Sequence, residues 1–144
     1  MANEEHYRKL ERMHAAAPIN QWFRPQMRVG EGTAELTLTV RPEFFHAGGA
    51  VHGAVCFKML DEACFFAVNS LVEDVFVLTV TFNIYFTRPV AAGTITAAGR
   101  VVFRSRRLFF AEAVLTDAAG QEIGRGSGSF VRSAIALTPD IGYA

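Results

Sequence analysis

Residues 51–70 read Val-His-Gly-Ala-Val-Cys-Phe-Lys-Met-Leu-Asp-Glu-Ala-Cys-Phe-Phe-Ala-Val-Asn-Ser. The stretch is apolar nearly all round, and its only charges are Lys58, Asp61 and Glu62. A helix of that composition is buried on most sides, so it belongs at the centre of a fold. The segments around it are strands. Residues 33–40 place Ala34, Leu36, Leu38 and Val40 on one face and Thr37 and Thr39 on the other. Residues 75–87 alternate Phe76, Leu78, Val80, Phe82, Ile84 and Phe86 with Thr79, Thr81, Asn83, Tyr85 and Thr87, which reads as one long strand closed by Arg88-Pro89. Further strands are expected near 93–104, 107–117 and 121–132, with a hairpin turn at Asp117–Gly120. Successive strands imply an antiparallel sheet, and its natural partner is the long helix. The expected class is α+β, a five- to six-stranded antiparallel sheet wrapped around one central helix.

Upstream, residues 3–17 read as an additional N-terminal helix, with Asn3 as cap, Glu4 and Glu5 in the first turn, and an apolar stripe of Tyr7, Leu10, Met13 (or His14) and Ala17. Residues 18–32 carry Pro18, Pro25, Gly30 and Gly32 and read as irregular, apart from a short extended piece. The expected division is one domain over 1–144: helix and connection 1–32, core 33–132, tail 133–144.

A length of 144 residues suits one domain, and an apolar content of 51% suits a buried core. Equal numbers of acidic and basic residues, 14 each, remove the global field expected of a nucleic-acid or anionic-membrane binder. Thirteen Phe in a chain this small point to a lined pocket or a subunit interface as well as a core. Cys56 and Cys64 lie within one helix and read as free thiols behaving as small hydrophobes, a reducing-compartment pattern. No window offers an apolar signal region or ~18 uninterrupted apolar residues. The expectation is a cytoplasmic protein without a membrane span. Gly124-Arg-Gly-Ser-Gly128 falls inside a strand pattern, so it is not a dinucleotide fingerprint. His52 and Cys56 share a helix face, but no further ligand pair supports a metal site; no metal and no cofactor are expected.

Residues 44–62 combine a glycine-loosened loop, a helix start at His52-Gly53 and an acid, Asp61, on an apolar helix. Backbone N–H groups at a helix start can hold a carbonyl oxygen and stabilise the oxyanion formed on attack. Gly53 allows close approach to that backbone. A carboxylate in apolar surroundings has a raised pKa and suits a base or nucleophile. Gly53 and Asp61 are ~12 Å apart along the helix axis, so one chain cannot bring both to one carbonyl. If both act, Gly53 of one subunit meets Asp61 of another, and a twofold dimer carries two equivalent sites. The bland alternative makes Lys58, Asp61 and Glu62 an exposed polar stripe with weak ion pairs.

The segment Gly49-Ala-Val-His-Gly-Ala-Val-Cys-Phe-Lys-Met-Leu-Asp-Glu-Ala63 resembles the helix-entry motif of hotdog-fold acyl-CoA thioesterases, most of all the phenylacetate-pathway (PaaI-like) type. The resemblance extends through Thr79-Val-Thr-Phe-Asn-Ile-Tyr-Phe-Thr-Arg-Pro89 and covers about residues 33–132. It implies hydrolysis of a small or aromatic acyl-CoA by a homodimer or homotetramer. Gly53 N–H would polarise the thioester carbonyl, with His52 shaping the turn. Asp61 of the partner subunit would be base or nucleophile, and Thr79 would help orient water. Two positions depart from the pattern: His46 stands where the family places Asn, and Ala54 where it places a second Gly. Arg104, Arg106, Arg107 and Arg88 are candidates for the CoA phosphates. Phe44, Phe45, Phe65 and Phe66 are candidates for an acyl pocket. Two other readings stay open: a hotdog 3-hydroxyacyl-thioester dehydratase pairing His46 with Asp61, and a non-catalytic acyl-CoA-binding module.

Overall fold

The computed structural model describes residues 3–144. Helix α1 (Glu4–Ala16) begins where Asn3 accepts a hydrogen bond from the His6 N–H, and it buries Tyr7, Leu10 and Met13. The central helix α3 (Gly53–Asn69) is capped by the His52 side chain and buries eleven of its seventeen residues. Six antiparallel strands, β1 (Gln26–Gly30), β2 (Thr33–Thr39), β3 (Val75–Phe86), β4 (Thr94–Arg104), β5 (Leu108–Thr116) and β6 (Glu122–Ala136), form one sheet in the order β1-β2-β4-β5-β6-β3. The expected α+β arrangement is present, with the sheet curved against α3.

Close helix–sheet packing has a specific cause. A Cβ at Gly99 of β4 would lie 2.5 Å from the Ala63 carbonyl of α3, and Ala63 is fully buried. Only glycine lets the two backbones approach this closely. The glycines of β6 do comparable work: a Cβ at Gly128 would strike the Phe82 ring and the Thr81 carbonyl. The glycine-rich stretch is thus a packing feature of a strand.

Three features go beyond the sequence reading. First, β3 does not pair with β4. It crosses to the sheet edge beside β6, and β4 inserts between β2 and β5. Second, the 18–32 connection contains, besides the expected short extended piece (β1), a one-turn helix, α2 (Asn20–Phe23). Left-handed Arg24 (φ 56°) terminates α2. The periodicity of so short a turn is too brief to read in a sequence. Third, β6 runs to Ala136, and the last residues return to α1. There the Tyr143 hydroxyl donates to Nδ1 of buried His6 (2.7 Å), whose Nε2–H donates to the Asn69 carbonyl (2.9 Å). Among the described residues no helix is long and apolar enough to cross a membrane.

Candidate active site

Strand β3 carries register shifts between Val75 and Val77 and between Thr79 and Thr81. Ahead of the second shift, Val77 is fully buried and Thr79 reaches α3. Beyond it, Phe82 meets Phe57 of α3 (ring centroids 5.3 Å) and Phe86 lies over Gly53. The inward face therefore switches from odd to even residues, as a bulge requires. Leu78 and Val80, expected on the same face as Phe82, are exposed.

This switch delivers the Thr79 hydroxyl to Asp61, donating to Oδ1 at 2.9 Å. Oδ2 has no partner among the described residues. Burial pushes the Asp61 pKa above the ordinary carboxylate value, the Thr79 bond opposes this, and the neighbouring Glu62 charge adds to it. Asp61 lies on the wall of an apolar cavity of about 460 Å³ with Phe65, Phe66 and Phe76.

Lys58 and Glu62 are not an exposed stripe. The N-terminal elements cover them, leaving 12% and 19% of their side chains exposed. Glu62 accepts from Lys58 Nζ at 2.6 Å and from His14 Nε2 at 2.8 Å, and Lys58 also donates to Asn20 Oδ1 at 2.7 Å. Burial alone would raise the Glu62 pKa, but the His14 and Lys58 contacts outweigh it and hold the group below its usual value. Two adjacent carboxylates are thereby set apart: Glu62 pinned and paired, Asp61 desolvated with one free oxygen. Sequence reasoning missed His14 and Asn20 as partners. The one signal was a His at a stripe position of an apolar helix face.

A second cavity, also about 460 Å³, contains Gly53 at the start of α3, with His46, Phe86 and Arg88. The Gly53 N–H has no acceptor among the described residues. Nδ1 of His52 accepts from the Ala54 N–H and Nδ1 of His46 from the Gly48 N–H, each at 2.9 Å. In the neutral rings the proton therefore sits on Nε2, so His46 presents an N–H donor as an Asn amide would. The two rings lie 6.4 Å apart, edge to face.

Within one chain the structure keeps the two halves apart, Gly53 and His46 in one cavity and Asp61 and Thr79 in the other. Arg104, Arg106 and Arg107 gather in a third hollow with Arg132, which the sequence reading did not single out, and Arg88 is not with them. Arg132 already donates through Nη2 to both carboxylate oxygens of Asp74, at 2.6 and 2.8 Å. Of the candidate pocket aromatics, Phe65 and Phe66 line the Asp61 cavity. Phe44 is instead stacked on Phe23 in the core (5.2 Å), and Phe45 pairs with Val51 and packs against the core, both outside that cavity. Cys56 and Cys64 are buried free thiols, each pushed up in pKa by burial. Among the described residues no three His, Cys, Asp or Glu side chains group as a metal site.

Known proteins share this architecture. The PaaI protein of the Escherichia coli phenylacetic acid degradation operon superposes with a TM-score of 0.84 at 20% identity, over 94% of this chain and 98% of that one. A thioesterase of Haemophilus influenzae superposes with a TM-score of 0.76 at 16% identity, over 83% and 85%. In sequence, a protein of Sulfurisphaera tokodaii, provisionally named an esterase, is 28% identical over 102 residues, 70% of this chain and 75% of that protein. The structural matches share the hotdog fold of this chain. Residues 48–123 match the family described as the Thioesterase superfamily. That span is more than half of the 144 residues and contains Gly53, Asp61 and Thr79, and the chain belongs to this superfamily.

Proposed function

We propose that this protein is an acyl-CoA thioesterase whose reaction centre is completed by a second copy of the chain. The observation that carries the reading is the division of labour along α3. An unspent N–H at Gly53 and a desolvated Asp61 lie ~12 Å apart on one helix, in separate cavities. The unpaired outer edge of β3, with Leu78 and Val80 exposed on it, offers a place for the second copy to pair. A twofold pairing then sets Gly53 of one subunit opposite Asp61 of the other.

At such a site the thioester carbonyl accepts from the Gly53 N–H and from His46 Nε2–H. Asp61 Oδ2 takes a proton from attacking water, or attacks the carbonyl carbon itself, while Thr79 holds Oδ1. Negative charge develops on the carbonyl oxygen at the positive end of α3, where fixed donors stabilise it. In the first case the CoA thiolate leaves, taking up the proton from Asp61, and the free acid follows; in the second the thiolate leaves an Asp61–acyl anhydride, which water then cleaves to the free acid. The exposed arginines at 88, 104, 106 and 107 provide cations for the CoA phosphates.

Free-thiol release from a panel of acyl-CoA esters, with wild type and Asp61→Asn side by side, tests the reading. Turnover in the wild type and a loss of at least ~100-fold in the variant is the expected result. A fully active Asp61→Asn protein overturns the mechanism.

A further inference from the structure

The Asp61 cavity lies under both ends of the chain. Phe65 and Phe66 of α3 and Phe76 of β3 form its body, Met13 of α1 closes one side, and Ile135 and Ile141 close the far end. Ile141 is held in place by its own turn. Gly142, in the left-handed region (φ 91°), lies against Met13 and Ala16, and Tyr143 is bonded to His6.

The polar groups of this wall are nearly all spent. Glu62 accepts from His14 Nε2 and Lys58, Asn20 accepts from Lys58 and donates to the His14 carbonyl (2.7 Å), and Asp61 Oδ1 accepts from Thr79. Among the side-chain polar atoms of these lining residues, those without a partner are Asp61 Oδ2 and His14 Nδ1. The rest of the wall is aromatic ring and aliphatic carbon, beside the two carboxylates.

We propose that this cavity receives the acyl group, accepts only uncharged hydrocarbon acyl chains or rings, and rejects acyl groups ending in a carboxylate. The inference rests on the thioesterase reading and adds its substrate class. A terminal carboxylate entering here loses its hydration against ring and aliphatic carbon and meets the Asp61 carboxylate. A methyl or phenyl terminus meets only ring faces and aliphatic carbon.

The test is a matched pair, hexanoyl-CoA and adipoyl-CoA, which have the same chain length and differ in the terminal carboxylate. The wild type is expected to favour hexanoyl-CoA by at least ~100-fold in kcat/KM. Ile141→Arg places a bidentate donor at the cavity end, in a surface turn where Ile141 is 37% exposed. It is expected to raise adipoyl-CoA turnover by about tenfold or more while hexanoyl-CoA turnover falls only a few-fold. Ile141→Ala, the control for lost bulk, keeps the wild-type preference. No thiol release from either ester overturns the thioesterase reading itself. Release from both at similar rates leaves that reading standing and overturns the acyl-pocket assignment, as does an Ile141→Arg protein whose preference is unchanged.

Discussion

The Gly53 N–H can be removed without removing anything else the helix uses. It sits at the first helical position and has no acceptor in the chain, and proline is well accommodated there. The preceding residue, His52, already has φ −61° and ψ 140°, the conformation proline requires before it. A Cβ there would lie 2.9 Å from the tip of the Phe86 ring, a side chain 58% exposed and free to shift. Gly53→Ala has the same consequence but keeps the N–H, so comparing the two variants isolates the donor. Loss of one oxyanion donor costs about 2.7–4 kcal/mol, or ~100–1000-fold in kcat. Gly53→Pro is therefore expected to be slower than Gly53→Ala by that factor in thiol release, with melting temperatures similar. A mixed dimer of Gly53→Pro and Asp61→Asn subunits then reports the arrangement. If each site joins Gly53 of one subunit to Asp61 of the other, the mixed dimer contains one intact site and one doubly damaged site. Random reassembly would restore about a quarter of wild-type activity from two inactive parents. If each site lay within one chain, no intact site would form and nothing would be restored. Absence of rescue in a verified mixed dimer, or a Gly53→Pro enzyme as fast as Gly53→Ala, would refute the reasoning.

Other consequences are open to measurement. The raised pKa of Asp61 places the acid limb of kcat/KM above the ordinary carboxylate value, and Thr79→Val, which removes the opposing hydrogen bond, should move that limb further up. Because the folded state holds the Asp61 proton more tightly than the unfolded state, ionised Asp61 destabilises the fold. Asp61→Asn should raise the melting temperature at neutral pH, with the gain fading as the pH falls toward the unfolded value near 3.8. Glu62 has the opposite sign. Its contribution is present above the unfolded pKa and lost as the pH falls through the folded one, so Glu62→Gln should lower the melting temperature at neutral pH and flatten its acid dependence. Asn69 is fully buried, donating to the Val72 and Val75 carbonyls and accepting from the Val77 N–H, each at 3.1 Å. Asn69→Ala should cost about 2–4 kcal/mol in denaturant unfolding. Cys56 and Cys64 should resist Ellman's reagent until the protein is unfolded, so the reagent can report released CoA without background from the native enzyme.

What could be read in the sequence was whatever repeats over several turns or strands. Helix α3 shows its burial in composition, and the strands show theirs in alternation. The Gly53–Asp61 separation needs only the rise of a helix, so the division of the proposed site is legible in the sequence. Alternation failed at Thr79–Thr81, because a bulge adds a residue without changing the pattern of side chains. Read as one regular strand, β3 puts Leu78, Val80 and Phe82 on the helix and gives no reason for Thr79 to meet Asp61. In the fold the bulge places Thr79 on Asp61 and still sends Phe86 to Gly53, so one irregularity serves both halves of the proposed site.

The charged residues of α3 show a different limit. Lys58, Asp61 and Glu62 have helical spacing that suits an exposed stripe, and spacing alone does not show which of them is covered and paired. What separates them is one turn of helix, Asn20–Phe23, together with His14 of α1, laid over Lys58 and Glu62. Those two become a covered ion pair with every oxygen and the ammonium engaged, while Asp61, one position away, is left desolvated with a free oxygen. A buried pair of this kind offers little net stability, since desolvation offsets its Coulomb gain. Its consequence lies with its neighbour: by taking up Glu62, it leaves Asp61 as the carboxylate with an oxygen free for chemistry.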